Sequence, residues 1–384
     1  MKKTSLAAVS LALLAVAGAA RAQSSVTLYG LIDEGVMYVN HASASANEIG
    51  LSSGNLSGSR WGLKGSEDLG SGLKAIFALE SGFNVNTGKL GQSSRMFGRQ
   101  AYVGLTGDSW GSVTLGRQYD PEVDLVQPVT GDNYFASSFA TPGDVDNNDN
   151  SARVNNAVKY SSPSYGGLKF EGLYAFSGVA GQTGQGYTYS GAVSYTTGGL
   201  SLAGGYLRMT NDSGDGAART TWSSATGDSV FDSDINSGYA TAKSVGIAQA
   251  AARYVAGPVT LGVGYSNAQY KADASSSFGS TEKYNTAKAF ALYQFTPSVM
   301  AGVGYAYTSA SGDTDAHYNQ VSVGADYLVS KRTDFYMVGA YQHANGTQRL
   351  SDGSTQAAVA SIGSYGYSGT DSQALLMVGI RHRF

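Results

Sequence analysis

The sequence predicts an all-β fold, and three features support this prediction. Apolar side chains alternate with small or polar ones in many segments, such as "GPVTLGVGYS", and a period of two is typical of strands with two unlike faces. The composition of 52 Gly, 26 Tyr and 13 Phe with only 6 Pro suits strands better than helices. Connections of alternating length separate the segments. These features favour one large antiparallel sheet.

The first 22 residues are predicted to be a secretory signal peptide. Two lysines precede an apolar run from Leu6 to Gly18, and "ARA" closes the segment as a small-residue cleavage site. The run is shorter than the roughly 20 residues that a membrane-spanning helix needs. We therefore expect export, cleavage after Ala22, and one mature domain over residues 23–384.

Charge and composition argue against several classes of function. The chain has 25 basic and 28 acidic side chains and a formal net charge of −3, which counts against a nucleic-acid binder with a basic stripe. It has no cysteine, so we expect neither disulfides nor a thiolate metal site. Its four histidines, His41, His317, His343 and His382, have no spacing typical of metal ligands. We expect no cofactor, no catalytic site and no enzyme activity.

Three segments show the alternation of strand faces most clearly. Their apolar sets are Val259, Leu261, Val263 and Tyr265; Val299, Ala301, Val303, Tyr305 and Tyr307; and Val321, Val323, Ala325 and Tyr327. The opposite faces carry small or polar residues such as Gly262, Gly304 and Gln320. Each segment therefore predicts a strand with one apolar face and one polar or small-residue face.

Short and long connections alternate along the whole mature chain. The short ones fall near 68–71, 107–111, 162–167, 196–199, 256–258, 296–298 and 329–333, and the long ones near 40–57, 84–94, 120–153, 178–186, 211–243, 271–283, 309–317 and 345–370. Seven short and eight long connections join sixteen strands. Keeping the long loops at one end is typical of a transmembrane β-barrel of the bacterial outer membrane.

Aromatic residues and the C-terminus fit the same interpretation. Tyr195, Tyr254, Phe295 and Tyr327 each precede a short turn by no more than two residues, where a barrel places its interfacial aromatic girdle. In the terminal "GIRHRF", Ile380, His382 and Phe384 share one strand face and the two arginines share the other. We expect this last strand to pair with the first, because an open edge in lipid would leave backbone amides unpaired.

The chain resembles the Gram-negative general diffusion porins, in particular those of Neisseria and other β-proteobacteria. The resemblance covers the mature chain through "SSVTLYGLIDEGV", "SRWGLKGSEDLGSGLKAIFALESGF", "RQAYVGLTGDSWGSVTLGRQYD", "YLVSKRTDFY" and "GIRHRF". It implies a 16-stranded antiparallel homotrimer in the outer membrane that passes ions and small hydrophilic solutes by passive diffusion.

The resemblance also implies two functional features. The third loop, from Asp120 to Arg153, is expected to fold into the pore as a constriction. The C-terminus is expected to be an assembly signal for the barrel-assembly machinery, with Gly379, His382 and Phe384 as its residues, although His382 stands where an apolar or aromatic residue is usual. Outer-membrane lipid and lipopolysaccharide are the expected surroundings.

Charged residues suggest how the constriction would act on ions. The third loop carries seven acidic residues, of which Glu122 and Asp124 lie at its start, and a lone Arg153. Basic side chains are expected on the facing wall. The alternation that points Trp61 and Leu63 outward points Arg60 and Lys64 inward, and Arg99, opposite in phase to Tyr102, should also point inward. Arg117 lies nearby in the sequence. Such opposed charges would select among ions. The sign of the preference is left open, with a slight lean to cations.

The string "DVDNNDN" partly matches a calcium-binding loop. Asp144, Asp146 and Asn148 fit its first three ligand positions, but Asp149 replaces the required Gly and Asn155 the terminal Glu. We expect no metal site here, and we expect these acids to be solvated charges near a loop tip.

Two other functions are compatible with a β-rich exported chain. One is a surface adhesin or secreted binding protein that uses its long loops, which would lack the heat-dependent gel migration of a trimeric barrel. The other is a sugar-specific channel, which usually has more strands and an aromatic file in its lumen.

Overall fold

The computed structural model describes residues 24–212, 218–223 and 230–384 of the chain. They form a closed antiparallel barrel of sixteen strands. The predicted signal peptide lies outside the described residues. Among the described residues, no helix has the length and apolar character needed to cross a membrane.

The barrel strands follow one another around the wall in chain order, and the second strand is interrupted. They are β1 Ser25–Ser43, β2a Ala46–Ser53, β2b Arg60–Gly70, β3 Leu73–Gly82, β4 Gln100–Gly107, β5 Gly111–Gln118, β6 Val154–Ser161, β7 Leu168–Ala175, β8 Thr188–Thr197, β9 Leu200–Thr210, β10 Ser244–Ala256, β11 Val259–Lys271, β12 Glu282–Thr296, β13 Val299–Ser311, β14 Asp315–Leu328, β15 Thr333–Arg349 and β16 Ser372–Arg383. A further short strand, Thr355–Ala357, pairs with the end of β15 in the last loop.

The first and last strands close the barrel. β1 pairs with β16 from Leu31 opposite Arg383 to Val39 opposite Leu375. On its other side, β1 pairs first with β2b and then with β2a. The break between these two halves is held by Asp33, whose carboxylate accepts hydrogen bonds from the backbone N–H groups of Leu56 and Ser57, both at 2.8 Å. No strand edge therefore faces lipid at the seam.

Two of the expected long connections are short in the structure. β1 and β2a are separated only by residues 44–45, and β13 and β14 only by residues 312–314. In both places the strands continue to pair beyond the barrel wall, because polar side chains at a strand tip do not prevent backbone pairing. The segment 54–59 is the break within the second strand, and its residues 54–57 had been expected to belong to the first loop.

The predicted strand faces are confirmed. Leu261, Val263 and Tyr265 are exposed on the outer face, whereas Gly262 and Ser266 are buried on the inner face. On β13 and β14 the larger apolar residues Val303, Tyr305, Tyr307, Val321, Val323 and Tyr327 are exposed, while Val299, Ala301 and Ala325 are half-buried. Ile380 and Phe384 are exposed and Arg381 is buried inside. The four predicted girdle aromatics, Tyr195, Tyr254, Phe295 and Tyr327, are exposed beside the short turns.

Within the described residues, helical structure is confined to the loops. The α-helical turns are Gly91–Ser94 in loop 2 and Pro121–Leu125 and Asp132–Phe135 in loop 3. Short 3₁₀ turns cover Gln127–Val129, Ala136–Phe139, Pro142–Asp144 and Ser237–Tyr239.

The loops fill one side of the barrel interior. Near the long-loop end, Ile235 and Tyr239 of loop 5 pack among inward side chains of β9 to β15, including Tyr270, Tyr284 and Tyr318. Loop 8 adds Ile362 to a second apolar cluster, which also contains Phe135 and Phe139 of loop 3. The open part of the lumen therefore lies on the side of β2 to β5.

Candidate pore constriction

The open space at mid-barrel lies between the third loop and the wall near β2 and β4. It has a volume of about 670 Å³. Charged and aromatic side chains line it, among them Arg60, Arg99, Tyr119, Asp124 and Arg153. Solutes that follow the lumen must therefore pass several fixed charges.

Three arginines meet around Tyr119 and a single carboxylate. Arg99 Nε donates to Glu80 Oε1 at 2.8 Å, and Arg60 Nη1 lies 3.9 Å from the same oxygen. Tyr119 also donates to Glu80, at 3.1 Å, and the guanidinium groups of Arg99 and Arg153 lie 5.8 and 5.7 Å from its ring centre. Arg60 and Arg99 thus share one buried anion and Arg153 adds a third cation beside Tyr119, so the cluster is electropositive.

Within this cluster, Arg153 is the cation whose charged form is least favoured by its surroundings. Burial, followed by the neighbouring Arg99, lowers the pKa of Arg153 to about 10 from its ordinary value of 12.5. Its side chain donates to the carbonyl of Ser151 at 2.8 Å, while its Nε has no hydrogen-bond partner. An anion close to this guanidinium would stabilise its charged form.

The third loop lies along the inner wall because its apolar residues find matching surfaces there. Its first helix begins at Pro121, and Asp120 caps it by accepting from the N–H of Glu122 at 2.9 Å. Leu125, Val126 and Val129 then pack on small wall residues, namely Ala192, Ala203 and Ala251. The start of the loop is thereby held across the lumen from Arg60 and Arg99.

Aromatic residues anchor the middle of the loop. Phe135 fills the space that a side chain at Gly324 of β14 would occupy, and Phe139 does the same at Gly304 of β13. Nearby, the amide of Gln320 donates to the carbonyl oxygens of Ser138 and Ala140 at 3.1 and 3.3 Å. These contacts fix the loop to the wall over several strands.

The structure separates the two acids at the start of the loop. Asp124 borders the open space and forms an ion pair with Lys159 of β6, rather than with the expected Arg60 or Arg99. Glu122 does not face the basic wall, as we expected, because its side chain turns to the opposite wall and covers Gly205 of β9. It is only 1% exposed, and burial raises its pKa well above the ordinary 4.5.

Of the acids expected to be solvated near a loop tip, Asp144 and Asp146 are buried and Asp149 is partly buried, which corrects that expectation. Asp132 and Asp146 lie 3.4 and 4.0 Å from Lys288 of β12. Asp144 accepts from the N–H groups of Asp149 and Ser151, which shapes the "DVDNNDN" turn. Burial raises the pKa of Asp132 to about 6. It also raises the pKa values of Asp144 and Asp149. Within the described residues, no group of three acid or histidine side chains could hold a metal.

The other basic residues expected on the wall, Arg99, Lys64 and Arg117, lie in three different surroundings. Arg99 turns inward as expected but not for the expected reason, since Tyr102 also faces inward, opposite the buried Ala78. Arg99 precedes β4 and enters the lumen from loop 2. Lys64 points inward with its Nζ 5.0 Å from the ring centre of Tyr29. Arg117 donates to the carbonyl of Gly98 at 2.8 Å and to Asn155, at the rim of the wall.

The expected assembly residues lie at the seam of the barrel. Phe384 and Gly30 exchange two backbone hydrogen bonds of 3.0 and 3.2 Å, and the Phe384 ring covers Gly30. His382 Nδ1 is 2.9 Å from Thr333 Oγ1 on the outer face. Gly379 faces inward, where the Tyr336 hydroxyl fills the place of a side chain. Gly379 therefore has a packing role of its own.

Sequence reasoning did not select Glu80, Tyr119, Lys159 or Arg153 as site residues. Glu80 and Lys159 could have been found from strand phase, since each shares the inward face with a buried neighbour such as Ala78 or Ala157. Tyr119 and Arg153 lie just outside strands, so no periodicity indicated their direction.

Comparison with known proteins gives consistent matches. The family described as Gram-negative porin matches residues 7–347. An outer membrane porin protein of Bordetella pertussis is 44% identical over 193 residues, which are 46% of this chain and 49% of that protein. The major outer membrane protein P.IB of Neisseria lactamica is 30% identical, with 86% of this chain and 90% of that protein covered.

Among solved structures, the anion-selective porin from Comamonas acidovorans is similar to this chain. The two have a TM-score of 0.73 and 26% sequence identity, and the match covers 94% of this chain and 100% of that one. The chain thus spans about half the length of the Bordetella relative that it matches and nearly the whole of the other two.

Proposed function

This chain belongs to the Gram-negative porin family and is an outer-membrane β-barrel, and we propose that it forms a water-filled channel for passive diffusion of ions and small hydrophilic solutes. The observation that carries the proposal is the open, charge-lined space of about 670 Å³ between the third loop and the wall. Porins are channels rather than enzymes, and we assign this chain no catalytic role. No specific observation favours the alternative of an adhesin.

We further propose that the third loop is the constriction and that it favours anions. The open space is lined by Arg60, Arg99 and Arg153 and by Asp124, Asp132, Asp149 and Asp232. Asp124 is paired with Lys159 and Asp132 with Lys288, whereas the three arginines have the single carboxylate of Glu80 near them. Asp120, Glu122, Asp144 and Asp146 are buried and do not line the open space, and Asp149 accepts hydrogen bonds from Ser137 and Ser364, so these acids contribute less to the field that a passing ion meets. Clusters of Arg or Lys are how pores favour anions. The anion selectivity stated for the Comamonas porin supports the same sign.

Assembly is proposed by analogy with the family. We propose a homotrimer in contact with outer-membrane lipid and lipopolysaccharide, inserted by the barrel-assembly machinery through the terminal Phe384. In this orientation the long loops face the outside of the cell and the short turns face the periplasm.

The test of the selectivity proposal is the reversal potential of the purified protein in a planar bilayer under a KCl gradient. Replacing two arginines with Arg60→Ser and Arg99→Ser should shift the preference toward cations. The shift should shrink as salt rises toward 1 M, where the screening length falls to about 3 Å.

A matched control removes two cations from a short turn, with Lys331→Ser and Arg332→Ser. Both residues are exposed and lie far from the open space. If this control moves the reversal potential as much as the arginine pair, the assignment of the constriction is overturned.

A further inference from the structure

A row of cations crosses the outer face of the barrel at its long-loop end. The row consists of Arg208 of β9, Lys271 of β11 and Lys283 of β12. All three point outward, because the adjacent Met209, Tyr270 and Tyr284 are buried on the inner side. Each cation lies within two residues of the strand end that leads to a long loop. In the proposed orientation, this is the height of the headgroups of the outer leaflet.

Strand pairing places two of these cations on one line across the wall. Arg208 is opposite Gly246 of β10, which is in turn opposite Gln269 of β11. Gln269 is opposite Lys283. Three strand spacings of about 4.8 Å therefore separate Arg208 from Lys283, so their backbones are roughly 14 Å apart. Lys271 lies two residues beyond Gln269 on the same face. The row has the length to meet two separate anionic groups at once.

Within the described part of the chain, no acid neutralises this row. None of its three side chains forms an ion pair or a hydrogen bond there, and Nε of Arg208 is shielded from solvent without an acceptor. The nearby acids have other partners. Asp273 accepts from Arg219 at 2.6 and 2.7 Å, and Asp315 lies 3.4 Å from His317. The row therefore keeps its positive charge and its donors for a ligand from outside the chain.

Amides and an aromatic ring lie beside the cations on the same outer face. Gln269 donates to Asn267 at 2.7 Å, and Asn267 donates to Asn285 at 2.7 Å. Tyr206 is 37% exposed, and its hydroxyl group lies across Gly246. Such a surface offers hydrogen-bond partners to sugar hydroxyl and amide groups and a ring to sugar C–H groups. Bare acyl chains would use none of these polar groups.

We propose that this patch binds the phosphorylated disaccharide headgroup of one lipopolysaccharide molecule in the outer leaflet. The patch consists of Arg208, Gly246, Gln269, Lys271 and Lys283. The two phosphates of the headgroup lie at opposite ends of its disaccharide, so one reaches Arg208 and the other reaches the two lysines. The sugars then cover Gly246, where no side chain stands in their way. The inference rests on the proposed contact with lipopolysaccharide and gives that contact a site.

The first test measures binding of bis-phosphorylated lipid A to the purified full-length protein in detergent micelles. Arg208→Gln with Lys283→Gln should weaken binding roughly tenfold or more, because each Lys or Arg near an anionic headgroup adds to the attraction. The matched control, Lys331→Gln with Arg332→Gln, removes the same charge from an exposed short turn at the other end of the barrel and should bind like the wild type. Equal binding by the wild type and the Arg208 and Lys283 double variant would overturn the inference.

A second test separates recognition of the headgroup from attraction to any phosphate. Lipid A that carries a single phosphate should bind several-fold more weakly than the bis-phosphorylated form, and phosphatidylglycerol should bind more weakly still. Equal binding of phosphatidylglycerol, or displacement of lipid A by inorganic phosphate, would overturn the proposal.

The outcomes also separate this site from the functions on which it rests. A wild type that binds no lipid A would remove the proposed contact with lipopolysaccharide itself, whereas a double variant that binds as well as the wild type would remove only this site. The patch lies outside the lumen, so single-channel conductance of the double variant should equal that of the wild type. Heat-dependent gel migration of the variant checks that it is folded.

Discussion

Three guanidinium groups around one carboxylate set the local electrostatics of this porin. Arg99 is held by Glu80 and Tyr119, so its position is fixed without a further acid. Arg60 and Arg153 lie close enough for their like charges to repel, so the charge of the cluster is not fully compensated by Glu80. Because the Debye length is about 8 Å at physiological salt, such fixed charges act only on ions inside the narrow part of the lumen.

The two acids at the start of loop 3 should behave differently when neutralised. Asp124→Asn should increase the preference for anions, because it removes an acid that borders the open space and takes away the closer ion-pair partner of Lys159. Glu122→Gln should leave the reversal potential unchanged, because Glu122 is buried against β9. Both are measured in a KCl gradient at neutral pH, and equal shifts would contradict the placement of Glu122.

The burial of Glu122 also predicts a dependence of stability on pH. Its pKa in the folded chain is raised well above 4.5, so the unfolded chain releases this proton first and unfolding becomes easier as pH rises above about 4.5. Glu122→Gln lacks this effect. The excess of its melting temperature over that of the wild type should therefore grow between about pH 4 and pH 8. A constant difference would contradict a buried, unpaired carboxyl group.

At this scale the sequence predicted positions within strands better than positions at their ends. Alternation placed Arg60 and Lys64 inward, and the structure does the same. The inward direction predicted for Arg99 was right, but the reason given was wrong, because Arg99 lies in a loop where strand alternation does not apply. Glu122 turned away from the basic wall because the neighbouring Gly205 leaves space for its side chain.

The third loop is the element that shapes the channel, and its anchors are aromatic rings in glycine gaps. A Cβ atom at Gly324 would lie 2.5 Å from the ring of Phe135, and one at Gly304 would lie 2.7 Å from Phe139. These glycines belong to the wall, so loop and wall are matched by shape. The buried Asp132 and Asp146 near Lys288 add charge to the same attachment.

Adding one methyl group to the wall should loosen this attachment. Gly324→Ala should displace Phe135, at a cost of about 1–3 kcal/mol, and raise single-channel conductance or its noise. Gly264→Ala is the matched control, because its Cβ would meet no atom closer than 3.8 Å. Identical conductance in both variants would contradict the role of Phe135 as an anchor.

The path of the loop could not be read from the sequence. Its length and position after "GRQYD" suggested an inward fold through the family resemblance. Its route depends on contacts with strands far away in the chain, such as Phe135 with Gly324, which no local pattern indicates. The two short hairpins at residues 43–46 and 311–315 were missed for a related reason, since their polar tips look like loops but still pair.

The whole barrel depends on closure between its two ends. β1 and β16 pair over nine residues, and Phe384 adds two backbone hydrogen bonds with Gly30 beyond them. The regular alternation of apolar and small residues made this architecture predictable, because a sheet with an apolar outer face and a polar inner face is stable in lipid only when it is closed.

Deletion of Phe384 should reduce the yield of assembled barrel much more than it reduces synthesis. It removes the hydrogen bonds to Gly30, the ring that covers that glycine, and the proposed assembly signal. The measurement compares heat-modifiable and total protein in outer-membrane fractions. Phe384→Tyr, which keeps the ring and the backbone, should assemble almost normally, and normal assembly of the deletion would contradict this role.

The central claim is that the barrel is an open channel whose arginine cluster favours anions. Single-channel recording of the wild-type protein in a planar bilayer under a KCl gradient tests it most directly. The account predicts discrete conductance steps and a reversal potential displaced toward the chloride equilibrium potential. Absence of discrete steps would contradict the channel, and a displacement toward the potassium equilibrium potential would contradict the proposed anion preference.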